Sequence, residues 1–404
     1  MWKSVAANGL TFLILGLMAV AGVIAWGQNQ YRTAGPLQEA ICLRVVGGET
    51  MRGVADDLAA QGAITSAAIF RMGADYTDKA SQLKAGSFLV PEGASMEEIV
   101  DIVTRGGAST CGTEVVFRIG VAGQEMEVRA LDPATQRFES LAEFDPAAEG
   151  VPPEYVDVRE QADVRFRVSL AEGVTSWQVV EALKLADFLT GEVAEVPPEG
   201  TLAPESYEVT PGTARTEVLA RMTELQTQRL AEVWANRDEG LPMETPEEAL
   251  ILASIIEKET AIAEERGTVA SVFVNRLREG MRLQTDPTVI YGVTEGRGVL
   301  GRGLRQSELR RETPWNTYVI AGLPPTPIAN PGIESLRAAV SPEETDLLFF
   351  VADGTGGHVF ARTLAEHNEN VARWREIERE RAREAAEAAE QAGEAPVEDA
   401  PADQ

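Results

Sequence analysis

From Leu10 to Trp26 the chain carries no charge, and Thr11 is the only hydroxyl in that run. With its uncharged neighbours from Ser4 onward, the stretch reaches the roughly 20 residues needed to cross a bilayer. Lys3 precedes it, and Trp26 and Tyr31 stand at its far end, where interfacial aromatics are expected. The rival is a cleaved signal peptide, whose apolar core is only about 7–15 residues and is followed by a small-x-small site. This run is longer, and no clean site follows it. The expectation is an uncleaved anchor, with Lys3 inside and residues 32–404 beyond the membrane, which in a bacterium means the periplasm or cell surface.

Composition narrows what the remainder can do. At 404 residues, two or three domains are the natural count. The 64 acidic residues against 36 basic ones give a net charge of −28, which argues against nucleic acid as a partner. Two histidines and two cysteines leave little for zinc, with no His-Glu-x-x-His run and no Cys-x-x-Cys pair. A Walker-type loop is also missing, which leaves carboxylates as the catalytic groups to look for. Cys42 and Cys111 both follow the apolar run; an even count in an oxidising space points to one disulfide. The alternative is two buried thiols.

Residues 40–105 read as a βααβα unit. A strand runs from Ile41 to Val46, Thr50 caps a helix from Met51, and a second helix follows from Ala67 to about Tyr76. Leu83–Val90 reads as a strand, and Ser95 with Glu98 forms a capping box for a last helix. Residues 121–164 hold 11 acids and 3 arginines around alternating stretches (Val115–Ile119, Met126–Ala130), read as a solvated β-rich insertion. Beyond it a strand (164–170), a helix from Ser176 and a long helix near 213–237 are expected. A later hairpin joins Leu347–Val351 to His358–Ala361.

The most informative helix begins at Thr245-Pro246-Glu247-Glu248, with Thr245 as cap, Pro246 in the first turn and Glu248 completing a capping box. It runs to Glu257-Lys258-Glu259-Thr260. Residues two apart point about 200° apart at 3.6 residues per turn, so the two glutamates cannot share a face. Glu259 neighbours Ile255, Ile256 and Ile262, whereas Glu257 neighbours Ala253, Ser254, Thr260 and Ala261. Glu259 therefore lies on the apolar face, where burial raises a carboxyl pKa and prepares a general acid. The alternative is a structural glutamate held by an arginine. Downstream loops bring Asn275-Arg276, Gln284-Thr285-Asp286, and Asn316-Thr317-Tyr318, a set of amides, hydroxyls and aromatics suited to lining a sugar groove.

These residues resemble the membrane-anchored endolytic peptidoglycan transglycosylases of the MltG/YceG-like family. The match rests on Leu252–Thr260, Val269–Leu277, Met281–Gly292, Asn316-Thr317-Tyr318, Gly322-Leu323-Pro324-Pro325, Phe350–Gly354 and His367-Asn368. A weaker match, Leu83–Phe88, is similar to the family's LysM-like module. Where the family often has an aromatic-rich Glu-Gly-x-x-x-Pro-Asp segment, this chain reads Glu199-Gly200-Thr201-Leu202-Ala203-Pro204-Glu205.

The resemblance implies an α+β fold: an anchor (1–32), a LysM-like module (40–112), the acidic insertion (113–165), a catalytic domain (166–375) and a charged tail (376–404), helical then disordered. It also implies lytic cleavage of the MurNAc–GlcNAc β-1,4 bond in peptidoglycan strands at the inner membrane, without cofactors, and peptidoglycan synthases as further partners. The family's catalytic glutamate falls on Glu259. Asn275, Arg276, Gln284, Asp286, Asn316 and Tyr318 are expected to position sugar or orient Glu259. Glu205 is expected to support the site, and Glu257 to pair with an arginine or a backbone donor. Two rivals stay open: a glycan hydrolase that uses Asp286 or Glu205 as a second acid, and a non-catalytic glycan-binding scaffold.

Overall fold

The computed structural model describes residues 2–106, 109–148, 150–161 and 163–392. In chain order the first elements are α1 (Trp2–Arg32), β1 (Ile41–Val45), α2 (Met51–Ala60), α3 (Ala67–Tyr76), β2 (Gly86–Val90), α4 (Met96–Thr104), β3 (Thr113–Ile119), β4 (Gln124–Asp132), β5 (Arg137–Phe144), α5 (Pro153–Val158) and β6 (Arg165–Leu170). There follow α6 (Ser176–Leu185), β7 (Ser206–Val209), α7 (Arg215–Ala235), α8 (Pro246–Glu259), α9 (Arg266–Arg278), α10 (Asp286–Thr294), α11 (Gln306–Leu309), α12 (Ile333–Val340), β8 (Phe349–Ala352), β9 (His358–Ala361) and α13 (Leu364–Ala392). The chain is mixed α+β. Leu10–Arg32, at mean hydropathy 2.2, is the one segment among the described residues long and apolar enough to cross a membrane.

The chain divides into two compact units. The first comprises Met1–Val116 and Met126–Arg167. Local signals set its helices. Thr50 accepts from Gly53 N, Ser66 from Ile69 N, and Ser95 with Glu98 closes a capping box. β1 and β2 pair antiparallel, Cys42 opposite Leu89, over a core that includes Leu43, Val54, Leu58, Phe70, Ile99 and Val103. Tyr31 and Leu37 belong to this same core, so the end of α1 is part of the unit. Cys42 and Cys111 are joined, S–S 2.04 Å.

Strands β5, β4, β3 and β6 are hydrogen-bonded in that order. Buried Glu114 on β3 accepts from Arg129 Nε and Nη2 (3.0 and 2.7 Å) and from Arg167 Nε (3.0 Å). Burial pushes its pKa up, but the arginine hydrogen bonds outweigh this and hold it below the usual range. The β3 part of the 113–165 segment is therefore not solvated, whereas β5 is largely exposed. Val115, Val116 and Phe117 are at most 3% exposed, and β3 lies between two partner strands, so its apolar residues are core.

The second unit comprises Phe117–Glu125 and Val168–Gln404. The ends of β3 and β6 continue beside β7 in the order β3, β6, β7. One core cluster gathers α8, α9 and α12, including Leu252, Ile255, Phe273 and Leu336. The antiparallel β8–β9 hairpin turns through Asp353, whose carboxylate accepts from Thr355 N and Gly357 N. α13 crosses the expected tail boundary at 376, because Trp374 and Ile377 pack on Gly354 and Arg381 donates to Gly354 O. The part of the tail expected to be disordered at 393–404 lies outside the described residues.

Candidate active site

The site is built on the end of α8. Thr245 Oγ1 accepts from Glu248 N at 3.2 Å, and Pro246 opens the helix without an N–H to satisfy. The expected capping box is not closed: Glu248 Oε2 instead takes Glu244 N at 2.6 Å, one residue before the cap. Ala249 to Ile256 are all buried, so α8 has no solvent face along that stretch. Polar chemistry is confined to its last turn.

There the two glutamates diverge, as a separation of two on a helix requires. Glu257 Oε2 accepts from Gly332 N at 2.9 Å. Glu172 lies beside it, its pKa raised by burial and then by the Glu257 charge. Between the two glutamates, Lys258 donates to Gly173 O at 3.2 Å. On the other side, Glu259 Oε2 accepts from Thr285 Oγ1 at 3.2 Å. Burial pushes the Glu259 pKa up to about 7; the Asp286 charge acts in the same direction, while the Thr285 hydrogen bond and Arg276 pull it down. Its place on the last residue of a helix, at the negative end of the dipole, also disfavours the carboxylate. Glu259 is nevertheless only half-buried and stays reachable from solvent.

Thr285 is held by a lattice of hydroxyls. Its backbone N donates to Thr317 Oγ1 at 3.1 Å, its carbonyl accepts from Thr288 Oγ1 at 2.7 Å, and Thr288 and Thr317 share a 2.8 Å bond. Beside it Tyr318 donates its hydroxyl to Asp286 Oδ1 at 2.7 Å. Burial, and next that hydrogen bond, raise the Tyr318 pKa, which keeps it a donor. Arg276 lies behind the site, donating to Leu348 O (2.6 Å) and Leu283 O (2.5 Å), and so fixes the strand of chain that leads into Thr285. Gln284 has a left-handed backbone (φ 50°), donates its N–H to Thr317 O and leaves its side chain exposed.

Three expected site residues do other work. Asn275 donates to Thr345 O and Leu347 O (2.9 and 3.1 Å), tying down the chain before β8. Asn316, fully buried, donates to the carbonyls of Glu308, Leu309 and Arg311 and accepts from Tyr318 N. Asn275 satisfies carbonyls of the chain before β8, and Asn316 satisfies carbonyls at the end of α11 and just after it. Glu205 forms a 2.6 Å ion pair with Arg229. None of the three touches Glu259.

Sequence reasoning placed Thr285 among the polar groove residues but missed its hydroxyl as the partner of Glu259. It also missed Glu199, a half-buried carboxyl that accepts from Ser176 N (2.8 Å) and Tyr291 Oη (3.2 Å) and whose pKa burial raises. No local pattern signals either contact, since the partners lie 23 to 92 residues away. A polar cavity of about 880 Å³ lined by Asp238, Ser271, Asn275, Arg278, Thr345 and Arg362 does not include Glu259. Among the described residues no group of three or more His, Cys, Asp or Glu is placed to hold a metal ion.

The model of the YceG-like family matches residues 43–373. The chain is 38% identical over 173 residues to an endolytic murein transglycosylase of Bacillus subtilis (strain 168), covering 43% of this chain and 46% of that protein. It is 26% identical over 333 residues to an endolytic murein transglycosylase of Streptococcus pneumoniae serotype 2 (strain D39 / NCTC 7466), covering 80% of this chain and 56% of that protein. The chain thus spans about half the length of the curated relatives it matches. A crystal structure of a YceG-like protein from Listeria monocytogenes superposes over 82% of this chain and 98% of that one, with a TM-score of 0.44 and 23% identity.

Proposed function

The chain belongs to the YceG-like family, and from that premise we propose that it is an endolytic murein transglycosylase with Glu259 as its acid and base. The observation that carries the reading is the Glu259 carboxyl: half-buried at the end of α8, held by Thr285, with burial pushing its pKa up to about 7. The names of the two relatives supply the substrate class.

In the proposed reaction, the Glu259 carboxyl donates its proton to the glycosidic oxygen as the bond to C1 of MurNAc breaks. The substrate's 2-acetamido oxygen stabilises the positive charge at C1. The Glu259 carboxylate then takes the proton of the C6 hydroxyl, whose oxygen bonds to C1 and closes a 1,6-anhydro ring. The carboxyl is regenerated and no water is consumed, so one acid suffices where a glycoside hydrolase generally needs two. Thr285 fixes the acid's orientation. Asp286, held by Tyr318, supports its protonated form and presents polar atoms to the sugar, and Gln284 offers an exposed amide beside them.

In the same reading α1 crosses the inner membrane once with its N-terminus inside, leaving Glu259 outside to cut strands close to where they emerge. Residues 40–112 act as a LysM-like glycan-binding module, and peptidoglycan synthases are working partners. The test is wild type against Glu259→Gln on purified peptidoglycan, with products read by mass spectrometry. Anhydro-ended fragments from wild type alone are expected. Reducing-end fragments, one water heavier, would make the protein a hydrolase. No fragments from folded, glycan-binding protein would leave a scaffold.

A further inference from the structure

Along α1 every residue from Leu10 to Trp26 is exposed. The pattern then changes: Gly27 and Gln30 are half-buried and Tyr31 is 7% exposed. Positions i, i+3 and i+4 form one helix face, so the end of α1 docks on protein while the rest of it does not. The dock is α3. Gly73 lies in the middle of that helix, where glycine costs about 1 kcal/mol against alanine. A Cβ there would come within 2.1 Å of Tyr31 Cε2, so the glycine is what lets the ring lie on α3. The chain leaving α1 is also tied down. Gly35 N donates to Gly93 O, Gly93 N donates to Leu37 O, and Leu37 is in the core. No slack joins the apolar helix to the first unit.

Distance then decides where α3 must be. Trp26 to Tyr31 is five residues, about 7.5 Å of helix at 1.5 Å per residue. The headgroup layer on each side of a bilayer is about 5–7 Å deep, from a total near 40–45 Å less a core near 30 Å. If the exposed apolar run of α1 fills the hydrocarbon, Gly73 lies at the outer edge of the headgroup layer, within reach of it for a long side chain. On α3, Met72 and Tyr76 are 61% and 81% exposed. They are i and i+4 neighbours, about 100° and 60° around the helix on the same side of Gly73. A large apolar side chain and a tyrosine beside a membrane exit suit the interface, where tyrosine is enriched.

We infer that Met72 and Tyr76 on α3 form a second membrane contact, inserting into the lipid headgroup region beside α1 and seating the first unit on the bilayer. This rests on the reading of α1 as the membrane span. The occupant is the lipid interface itself, because Tyr31 at the end of α1 holds α3 within side-chain reach of it. The test uses the full chain in phosphatidylcholine nanodiscs. Met72→Cys and Tyr76→Cys are each labelled with an environment-sensitive fluorophore, and Ala19→Cys in α1 serves as the reference for the span. Headgroup nitroxide lipids are expected to quench the labels at 72 and 76 at least twofold, with blue-shifted emission. Acyl-chain nitroxides are expected to quench the label at 19. Water-like emission and no quenching at 72 and 76, with 19 still quenched, overturns the seat and leaves the span standing. An unquenched label at 19 overturns the span, and the seat with it.

Discussion

Glu259→Gln should leave the protein as stable as wild type in mild acid and make it more stable in mild base. The wild-type carboxyl has its pKa raised from the ordinary 4.5 to about 7 in the folded protein. Between those values the folded state holds a proton that the unfolded state has lost, so wild-type stability falls as pH rises through this window. Each tenfold change in proton affinity between the two states is worth about 1.36 kcal/mol. Ionising Glu259 in the fold therefore costs wild type under about 1 kcal/mol at pH 5 and about 3 kcal/mol at pH 8, or roughly 2 kcal/mol once the open side of Glu259 is discounted. Glutamine cannot ionise and its carbonyl still accepts from Thr285, so the variant escapes this cost. For a domain of this size a kcal/mol moves Tm by about 2–4 °C, so a gain of roughly 4–8 °C at pH 8 is expected. Tryptophan fluorescence of the full chain in detergent follows it, since Trp177, Trp234, Trp315 and Trp374 all belong to the second unit. Equal stabilities at pH 8, or a gap that does not change with pH, would refute the account of Glu259 as a charge-disfavouring site.

Other substitutions test the neighbours by sign. Asp286→Asn removes a charge that raises the Glu259 pKa, so the alkaline limb of the pH–rate profile should move to lower pH. Thr285→Val removes the hydrogen bond that lowers it, so that limb should move to higher pH, with a drop in kcat. Glu114→Gln leaves Arg129 and Arg167 around a neutral, buried partner and should cost about 3 kcal/mol in urea unfolding. Cys42→Ala with Cys111→Ala opens a loop of 69 residues and should cost up to about 4 kcal/mol.

Features that act over one or two helical turns were legible in the residues. Thr50, Ser95 and Thr245 each cap where a hydroxyl three residues ahead of a backbone N–H would place them. The choice of Glu259 over Glu257 followed from periodicity, and the two do lie on different sides of α8 with different partners. The apolar run of α1 needed only its lack of charge. The acidic 113–165 stretch holds two environments, and net charge averaged across its strands hides that β3 is core while β5 is largely exposed. β3 alternates too little to look buried on both faces, and its burial comes from strands that pair with it across the sheet.

The sequence by itself determined the apolar N-terminal helix, the helix caps and which glutamate is set apart, because each depends on neighbours within about four residues. Tertiary structure alone decided what Glu259 touches. Thr285 reaches it from 26 residues away, and it does so only because Thr288, Thr317 and Arg276 fix that loop. The same is true of Asn275 and Asn316. A polar side chain can face substrate or satisfy backbone, and the chain folding back on itself placed carbonyls in front of both amides.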